Sequence, residues 1–306
     1  MNSQQVEAYL DRIGYTGSRE LTGETLDRLI WAHISTVPFE SLDLHEYGIV
    51  PSLDEDDLFN KFVVRRRGGY CFEQNTIFGA LLRDLGFPVY GVCVRLLGRP
   101  GPLRAFSHKG LVARAEGKDW YCDVGYGGPG PKGVVEMREG EQVVGGLTYR
   151  GSFTKREDAF FIERLDPDGW HDVLYFAPRP IEQVDFDPLN FYIALRPDSG
   201  FRLNRTVNLT LPNGSKALTG YTHLKRYGTS GTGTIMVGSS SGIVSSASET
   251  WTGSHSIINA GNYTVQNPTW DKVTVDASHE HASVGGGQPH DNMPPYLSVY
   301  IWQRTA

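Results

Sequence analysis

Arg65-Arg66-Arg67-Gly68-Gly69-Tyr70-Cys71-Phe72-Glu73-Gln74-Asn75 joins two helical patterns. On its N-terminal side, Ser52 with Glu55 reads as a capping box that opens a helix carrying Leu58, Phe59 and Phe62. Gly68 and Gly69 are expected to stop that helix, because glycine takes the left-handed conformation past a helix end. On the C-terminal side a new helix should start near Cys71, bury Phe78, Leu81, Leu82 and Leu85, and end at Gly86 with Pro88 behind it. Further upstream, Leu26, Leu29, Ile30 and His33 fall at the spacing of one helix face. From Val89 to about Tyr192 the apolar period shifts to two, as in Val92, Val94 and Leu96, Leu111 and Ala113, or Trp120 and Cys122. Helices first and strands afterwards predict an α+β fold. A helical bundle over 1–87 carries Cys71, and a β-barrel or sheet domain over 88–195 carries the remaining chemistry.

Cys71 stands at the mouth of its predicted helix, behind a Gly-Gly turn that would expose the thiol. A helix N-terminus presents unpaired N–H groups and about half a positive charge, which favours an anion there. The thiolate is the nucleophilic form of cysteine. A nucleophile needs a base, and the base an orienting group. His108 begins one predicted strand and Asp123 ends another; an antiparallel pairing through a turn near Glu116-Gly117-Lys118 would bring the two together. Each residue also has an ordinary reading: a small buried hydrophobe for Cys71, a core or rim residue for His108, and a turn acceptor for Asp123. Cys93 and Cys122 sit among apolar strand neighbours and read as packing. No C-x-x-C spacing occurs, so a metal site made by the cysteines is not expected.

The stretch Arg66-Arg67-Gly68-Gly69-Tyr70-Cys71-Phe72-Glu73-Gln74-Asn75 resembles the active-site signature of the arylamine N-acetyltransferase family. Val37-Pro38-Phe39-Glu40-Ser41-Leu42-Asp43 resembles that family's P-F-E-N segment, with Ser41 in place of Asn. Asp123-Val124-Gly125-Tyr126-Gly127-Gly128 resembles its D-V-G-F-G-G segment, with Tyr126 in place of Phe. The similarity runs from about Val6 to Tyr227 and includes Asn190-Phe191-Tyr192 and Leu211-Pro212-Asn213-Gly214. It implies a cysteine-protease-like triad of Cys71, His108 and Asp123, and a ping-pong reaction through an acetyl-cysteine. Acetyl-coenzyme A would be the acetyl donor, and an arylamine, arylhydroxylamine or hydrazine the acceptor, with no metal required. By the same resemblance Phe39 and Tyr126 would line the acceptor pocket, and Gly127 and Gly128 would admit the coenzyme's pyrophosphate. The three arginines read as a solvated helix end, with the last of them structural in the family.

Composition marks a seam after Tyr227. Of 29 Lys+Arg and 35 Asp+Glu, only Lys272, Arg304, Glu249, Asp271, Asp276, Glu280 and Asp291 lie beyond it. About two-thirds of the positions from Gly228 to Ser254 are Gly, Ser or Thr, a bias of repetitive or flexible β-rich segments. Residues 196–227 are expected to begin a third domain that is cut short, and 228–306 to form a β-rich tail. The ending Gly285-Gly286-Gly287-Gln288-Pro289-His290-Asp291-Asn292-Met293-Pro294-Pro295-Tyr296-Leu297 resembles the C-terminus of phage tail-collar and short tail-fibre proteins. That resemblance implies self-association; His279 and His281 fit its metal-holding pair in outline, but two histidines alone cannot satisfy a metal, so they read as exposed loop residues and no metal site is expected.

A formal charge of −6 argues against a nucleic-acid partner. No run of 18 apolar residues is present, so no membrane span is expected. Met1-Asn2-Ser3-Gln4-Gln5 lacks the basic start of a secretory signal, and three cysteines make no disulfide framework, which points to the cytoplasm. Two other functions remain open at this level. Transglutaminase-like hydrolases use cysteine, histidine and aspartate in this chain order, and a receptor-binding fibre tip would place the function in the tail.

Overall fold

The computed structural model describes residues 1–98, 105–154, 158–212, 214–219, 222–227 and 255–256. The chain divides into two compact units, Met1–Thr210 and Leu211–Ala306.

The first unit opens with α1 (Ser3–Ile13) and α2 (Gly23–Thr36). Asn2 and Gln5 form a reciprocal capping box at the start of α1, and Thr22 accepts from Thr25 N at the start of α2. The apolar face predicted for α2 is fully buried, and Leu26, Leu29 and Ile30 pack with Tyr9, Leu10 and Ile13 of α1. After the short strand β1 (Phe39–Glu40) and α3 (Leu42–Tyr47), the chain forms α4 (Glu55–Phe59), continued by a π turn over Asn60–Val64. The cap of α4 differs from the expected one. Asp54, one residue before the helix, accepts from Asp56 N and Asp57 N, while Ser52 only supports it by accepting from Asp54 N. A carboxylate at the cap position reaches the two orphan N–H groups that a serine two residues earlier cannot.

The stop before Cys71 also works differently. Arg66 is the left-handed residue, with φ 53°, whereas neither Gly68 nor Gly69 has positive φ. These glycines are needed for close packing. A Cβ on Gly68 would lie 2.0 Å from Pro38 O, and one on Gly69 2.7 Å from both Glu73 Oε2 and Phe62. Helix α5 (Cys71–Asp84) then begins and ends as the sequence indicates, with Gly86 at φ 101° beyond it.

Eight antiparallel strands follow: β2 (Val89–Leu96), β3 (His108–Ala115), β4 (Lys118–Cys122), β5 (Val135–Glu136), β6 (Gly140–Val144), β7 (Leu147–Thr154), β8 (Ala159–Asp166) and β9 (Gly169–Phe176). Their order is β5-β4-β3-β2-β9-β8-β7-β6. The sheet curls toward a barrel around Val92, Val94, Val112, Tyr121, Phe160 and Phe176. Its two edges meet through one side chain, because the Gln142 carboxamide of β6 exchanges two hydrogen bonds with the Glu136 backbone of β5, at 2.8 and 2.9 Å. Strand β3 is buried on both faces: Leu111 and Ala113 turn to the helices, and Val112 to the barrel interior. Gly79 lets α5 lie close on β3, since an added Cβ would stand 3.2 Å from Leu111.

The alternation expected up to Tyr192 fails at its end. Residues Asp187–Leu195 form helix α6, entered through a 3₁₀ turn at Gln183–Phe186 and carrying Pro188 in its first turn, where proline's missing N–H costs nothing. A short α7 (Gly200–Leu203) and β10 (Thr206–Leu211) complete this part, and β10 pairs with β1 in the register Phe39↔Asn208. The result is an α+β unit of helices and a nearly closed antiparallel sheet.

In the second unit β11 (Gly214–Thr219) and β12 (Thr222–Tyr227) form an antiparallel hairpin, with β13 (His255–Ser256) paired to Lys225 and Arg226. Residues 285–297, on which the expected tail-fibre resemblance rests, lie outside the described residues with His279 and His281, as does nearly all of the tail after Tyr227.

Candidate active site

Cys71 is the first residue of α5, and its position is set from behind. Glu73 Oε2 accepts from Tyr70 N at 3.1 Å, and Gln74 Nε2 donates to both Pro38 O and Gly69 O. Gln74 Oε1 is in turn held by His33 Nε2, and His33 Nδ1 by the Tyr9 hydroxyl. The Tyr70 hydroxyl donates to Asn190 of α6, which donates to Pro51 O. The turn before the sulfur is therefore tied to α1, α2, α5 and α6 at once.

The hairpin between β3 and β4 places His108 and Asp123 side by side. Its turn has Glu116 at φ 53° and Gly117 at φ 72°, the twist that matches paired strands. His108 Nε2 lies 2.7 Å from Asp123 Oδ2. Asp123 leaves Nδ1 as the remaining ring nitrogen, and Cys71 acts electrostatically on the same imidazole. All three groups are at most 3% exposed, so the Gly-Gly turn does not expose the thiol as expected: it packs against Pro38, Phe62 and Glu73 instead. Asp123 is saturated: Oδ2 accepts from His108 and from the Tyr121 hydroxyl at 2.9 Å, and Oδ1 from Asn75 Nδ2 at 2.9 Å and Gly125 N at 2.8 Å. Burial disfavours the charge on both partners, yet their mutual attraction and these hydrogen bonds prevail. His108 is pushed up to about 10, with Cys71 adding to the rise, and Asp123 is held below the usual carboxylate range.

Under the Gly68–Tyr70 turn lies a charged cluster. Lys61 Nζ reaches Asp43 Oδ2 and Glu73 Oε1, both at 2.6 Å. Arg67 donates to Glu40 through two nitrogens, at 2.9 and 2.7 Å, and to Asp43 at 3.0 Å. Arg67 is thus a paired residue, in keeping with the structural part the resemblance implies for the last of the three arginines, whereas Arg65 and Arg66 are exposed, as a solvated helix end would be. Burial lifts Glu73 to about 7 despite Lys61. On the other face of β3, Lys109 Nζ donates to Thr76 Oγ1 and Gln183 Oε1 and lies 4.4 Å from the Phe186 ring centre, and burial pushes it down to about 7.

Phe39, Tyr126, Gly127 and Gly128 all line one open cleft, with Asp123 and Lys132. Tyr126 stands edge-on to His108, ring centres 6.0 Å apart. Gly127 has φ 67° and lies against Phe39, where an added Cβ would stand 2.6 Å from the ring. Gly128 is open, with nothing nearer than 3.9 Å to such an atom. Among the described residues, no group of three His, Cys, Asp or Glu is placed to hold a metal ion, and no helix is long and apolar enough to cross a membrane.

A family model described as N-acetyltransferase matches residues 22–242. The chain is 32% identical to the arylamine N-acetyltransferase of Mycobacterium tuberculosis over 63% of its own length and 70% of that protein. The chain belongs to the arylamine N-acetyltransferase family. With the Escherichia coli arylamine N-acetyltransferase the identity is 31%, over 72% of this chain and 78% of the other. The solved structure of the Mycobacterium marinum arylamine N-acetyltransferase in complex with CoA aligns with a TM-score of 0.66 at 28% identity, covering 72% of this chain and 82% of that one. This arylamine N-acetyltransferase family member is an acyltransferase enzyme.

Several residues that build the site went unassigned from sequence. Asn75 ties three elements together, donating to Lys109 O at 2.6 Å and to Asp123 Oδ1 while accepting from Val124 N at 3.0 Å. Its position one turn after Cys71, on the same helix face, was a usable signal. Tyr121 could have been read from strand alternation, which puts it on the face of Asp123. Lys61 and Glu73 gave no local signal, because their pairing depends on the π turn.

Proposed function

We propose that Cys71, His108 and Asp123 carry acetyl groups from acetyl-coenzyme A to an aromatic amine or hydrazine through an acetyl-cysteine. The observation that carries this reading is the buried His108–Asp123 pair at 2.7 Å, with Cys71 at the head of α5 acting on the same imidazole and the segment after Asp123 packed against it. His108 beside the sulfur supplies the base that a cysteine nucleophile needs, and Asp123 supplies that base's orienting group.

In the first half-reaction the Cys71 sulfur attacks the thioester carbonyl, and His108 gives its proton to the departing thiolate. The backbone N–H of Cys71, which has no acceptor within its helix, is assigned to the developing oxyanion. In the second half-reaction the amine attacks the acetyl-cysteine, neutral His108 takes the amine proton, and Cys71 leaves as the anion. His108 is thereby protonated again for the next cycle. Asp123 keeps the imidazole in one orientation throughout.

Phe39 and Tyr126 are proposed to flank the acceptor ring. The open backbone at Gly128 suits close approach of the donor's pyrophosphate, whereas Gly127 already has a reason in its contact with Phe39. The three free thiols fit a cytoplasmic setting. The test is to incubate the protein with acetyl-coenzyme A and locate a mass gain of one acetyl group by peptide mapping. The gain is expected on Cys71, absent in Cys71→Ala, and lost on adding an aromatic amine. An acetyl group found elsewhere, or transfer that survives in Cys71→Ala, would refute the reading.

A further inference from the structure

Tyr121 precedes Asp123 by two residues, so strand alternation puts both side chains on one face. The phenol is fully buried in the barrel interior. Its ring stacks on Phe176, centres 4.9 Å apart and planes at 27°. Across from it Gly110 of β3 has no side chain, and an added Cβ would lie 2.6 Å from the Tyr121 ring. The ring is therefore clamped, and its hydroxyl has one described partner, Asp123 Oδ2 at 2.9 Å. That oxygen is the one His108 Nε2 also reaches, at 2.7 Å. The packing alone would accept a phenylalanine. A buried hydroxyl is worth its desolvation only where it has a partner, and here the partner is the oxygen that steadies the imidazole.

We infer that Tyr121 is a positioning residue for the triad: it locks the rotation of the Asp123 carboxylate and takes up part of the charge that oxygen would otherwise give to His108. This inference rests on the proposed catalytic role of Cys71, His108 and Asp123. The hydroxyl points its positive end at Oδ2, so it tempers the hold of Asp123 on the imidazolium. Burial and Asp123 both raise the phenol well above its ordinary value of 10.0, so it remains a donor over the working pH range. The other titratable groups acting on this pair are Cys71 from α5, Tyr126 from the segment after β4, and Cys122 beside Asp123.

The experiment measures acetylation of Cys71 by acetyl-coenzyme A from pH 6 to 11 in the full chain and in two variants. Tyr121→Phe removes the donor; site-specific 3-fluorotyrosine at position 121 strengthens it without changing the packing. The Phe variant should slow acetylation about tenfold and move the alkaline limb of the rate profile up by about half a pH unit. The fluorinated side chain should move that limb down. A slowed rate with an unmoved limb overturns the assignment, as does no change in either variant. If the Phe variant fails to fold, the direction of the fluorotyrosine shift decides alone. Failure of the triad itself has a different signature, since the unsubstituted chain would then gain no acetyl group on Cys71.

Discussion

A Cβ added to Gly125 would lie 2.7 Å from Cys71 Cα, so the chain leaving Asp123 crosses the first residue of α5 with no space for a side chain. The same glycine donates its N–H to Asp123 Oδ1. One backbone segment thus fixes the distance between the sulfur and the carboxylate that steadies its base.

Substituting Gly125 by Ala should displace Cys71 and cut acetyl transfer by about 10²-fold, the cost of a misplacement near 1 Å. Gly128→Ala should behave differently, because nothing stands within 3.9 Å of the new methyl group. It should leave the unfolding midpoint unchanged and raise KM for acetyl-coenzyme A. Steady-state kinetics with thermal unfolding of both variants check this, and equal effects at the two positions would contradict it.

Asn75→Ala removes the link between α5, β3 and the Asp123 segment, stranding Lys109 O and Val124 N in the interior. Urea unfolding should show a loss of about 3 kcal/mol, since each buried group left unpaired costs about 1–3. The kcat should fall as well, because Asp123 loses one of its two Oδ1 donors. Unaltered stability would show that water replaces the carboxamide without cost.

His108 and Lys109 are neighbours whose titrations move in opposite directions. His108 rises from 6.5 to about 10, so its contribution to stability is full below pH 6.5 and is lost as pH climbs toward 10. Lys109 falls from 10.5 to about 7, so its contribution is full above pH 10.5 and is lost as pH drops through 7. Between pH 7 and 10 the two slopes, each about 1.4 kcal/mol per pH unit, offset one another. Lys109→Met should expose the His108 slope, and urea titrations at pH 7, 8 and 9 should show stability falling step by step. A flat profile in the variant would contradict one of the two shifts.

Arg67→Met leaves Glu40, 1% exposed, without its two guanidinium hydrogen bonds. Because the arginine itself is partly exposed, the expected loss is about 3 kcal/mol, at the low end for a broken buried pair. The double variant with Glu40→Gln should recover part of it. Thermal unfolding of the four proteins in this cycle measures the coupling.

What the sequence disclosed follows the range over which each interaction acts. Leu26, Leu29 and Ile30 declared a helix face because burial repeats with the helix period. His108 and Asp123 could be brought together on paper because only a tight hairpin separates them. Cys71 at a helix mouth was legible from the glycines before it, although Gly68 and Gly69 serve to let Pro38 and Glu73 approach rather than to reverse the chain. Helix α6 was missed because its residues follow a strand pattern without a break, and its anchor, Asn190, finds its partners in Tyr70 and Pro51, more than a hundred residues away. The cluster of Glu40, Asp43, Lys61, Arg67 and Glu73 was hidden for the same reason. Charges read one at a time look like surface, and only the fold reveals that they neutralise one another.

The carboxamide of Gln142 has an effect beyond the single molecule. An antiparallel sheet with two free margins offers a template on which a second copy can add its own strand. Here a side chain from one margin, Gln142, occupies both hydrogen-bonding groups of one residue, Glu136, on the other. The Glu136 peptide is thereby spoken for, and a strand from another molecule would have to displace the carboxamide before it could pair at that rung.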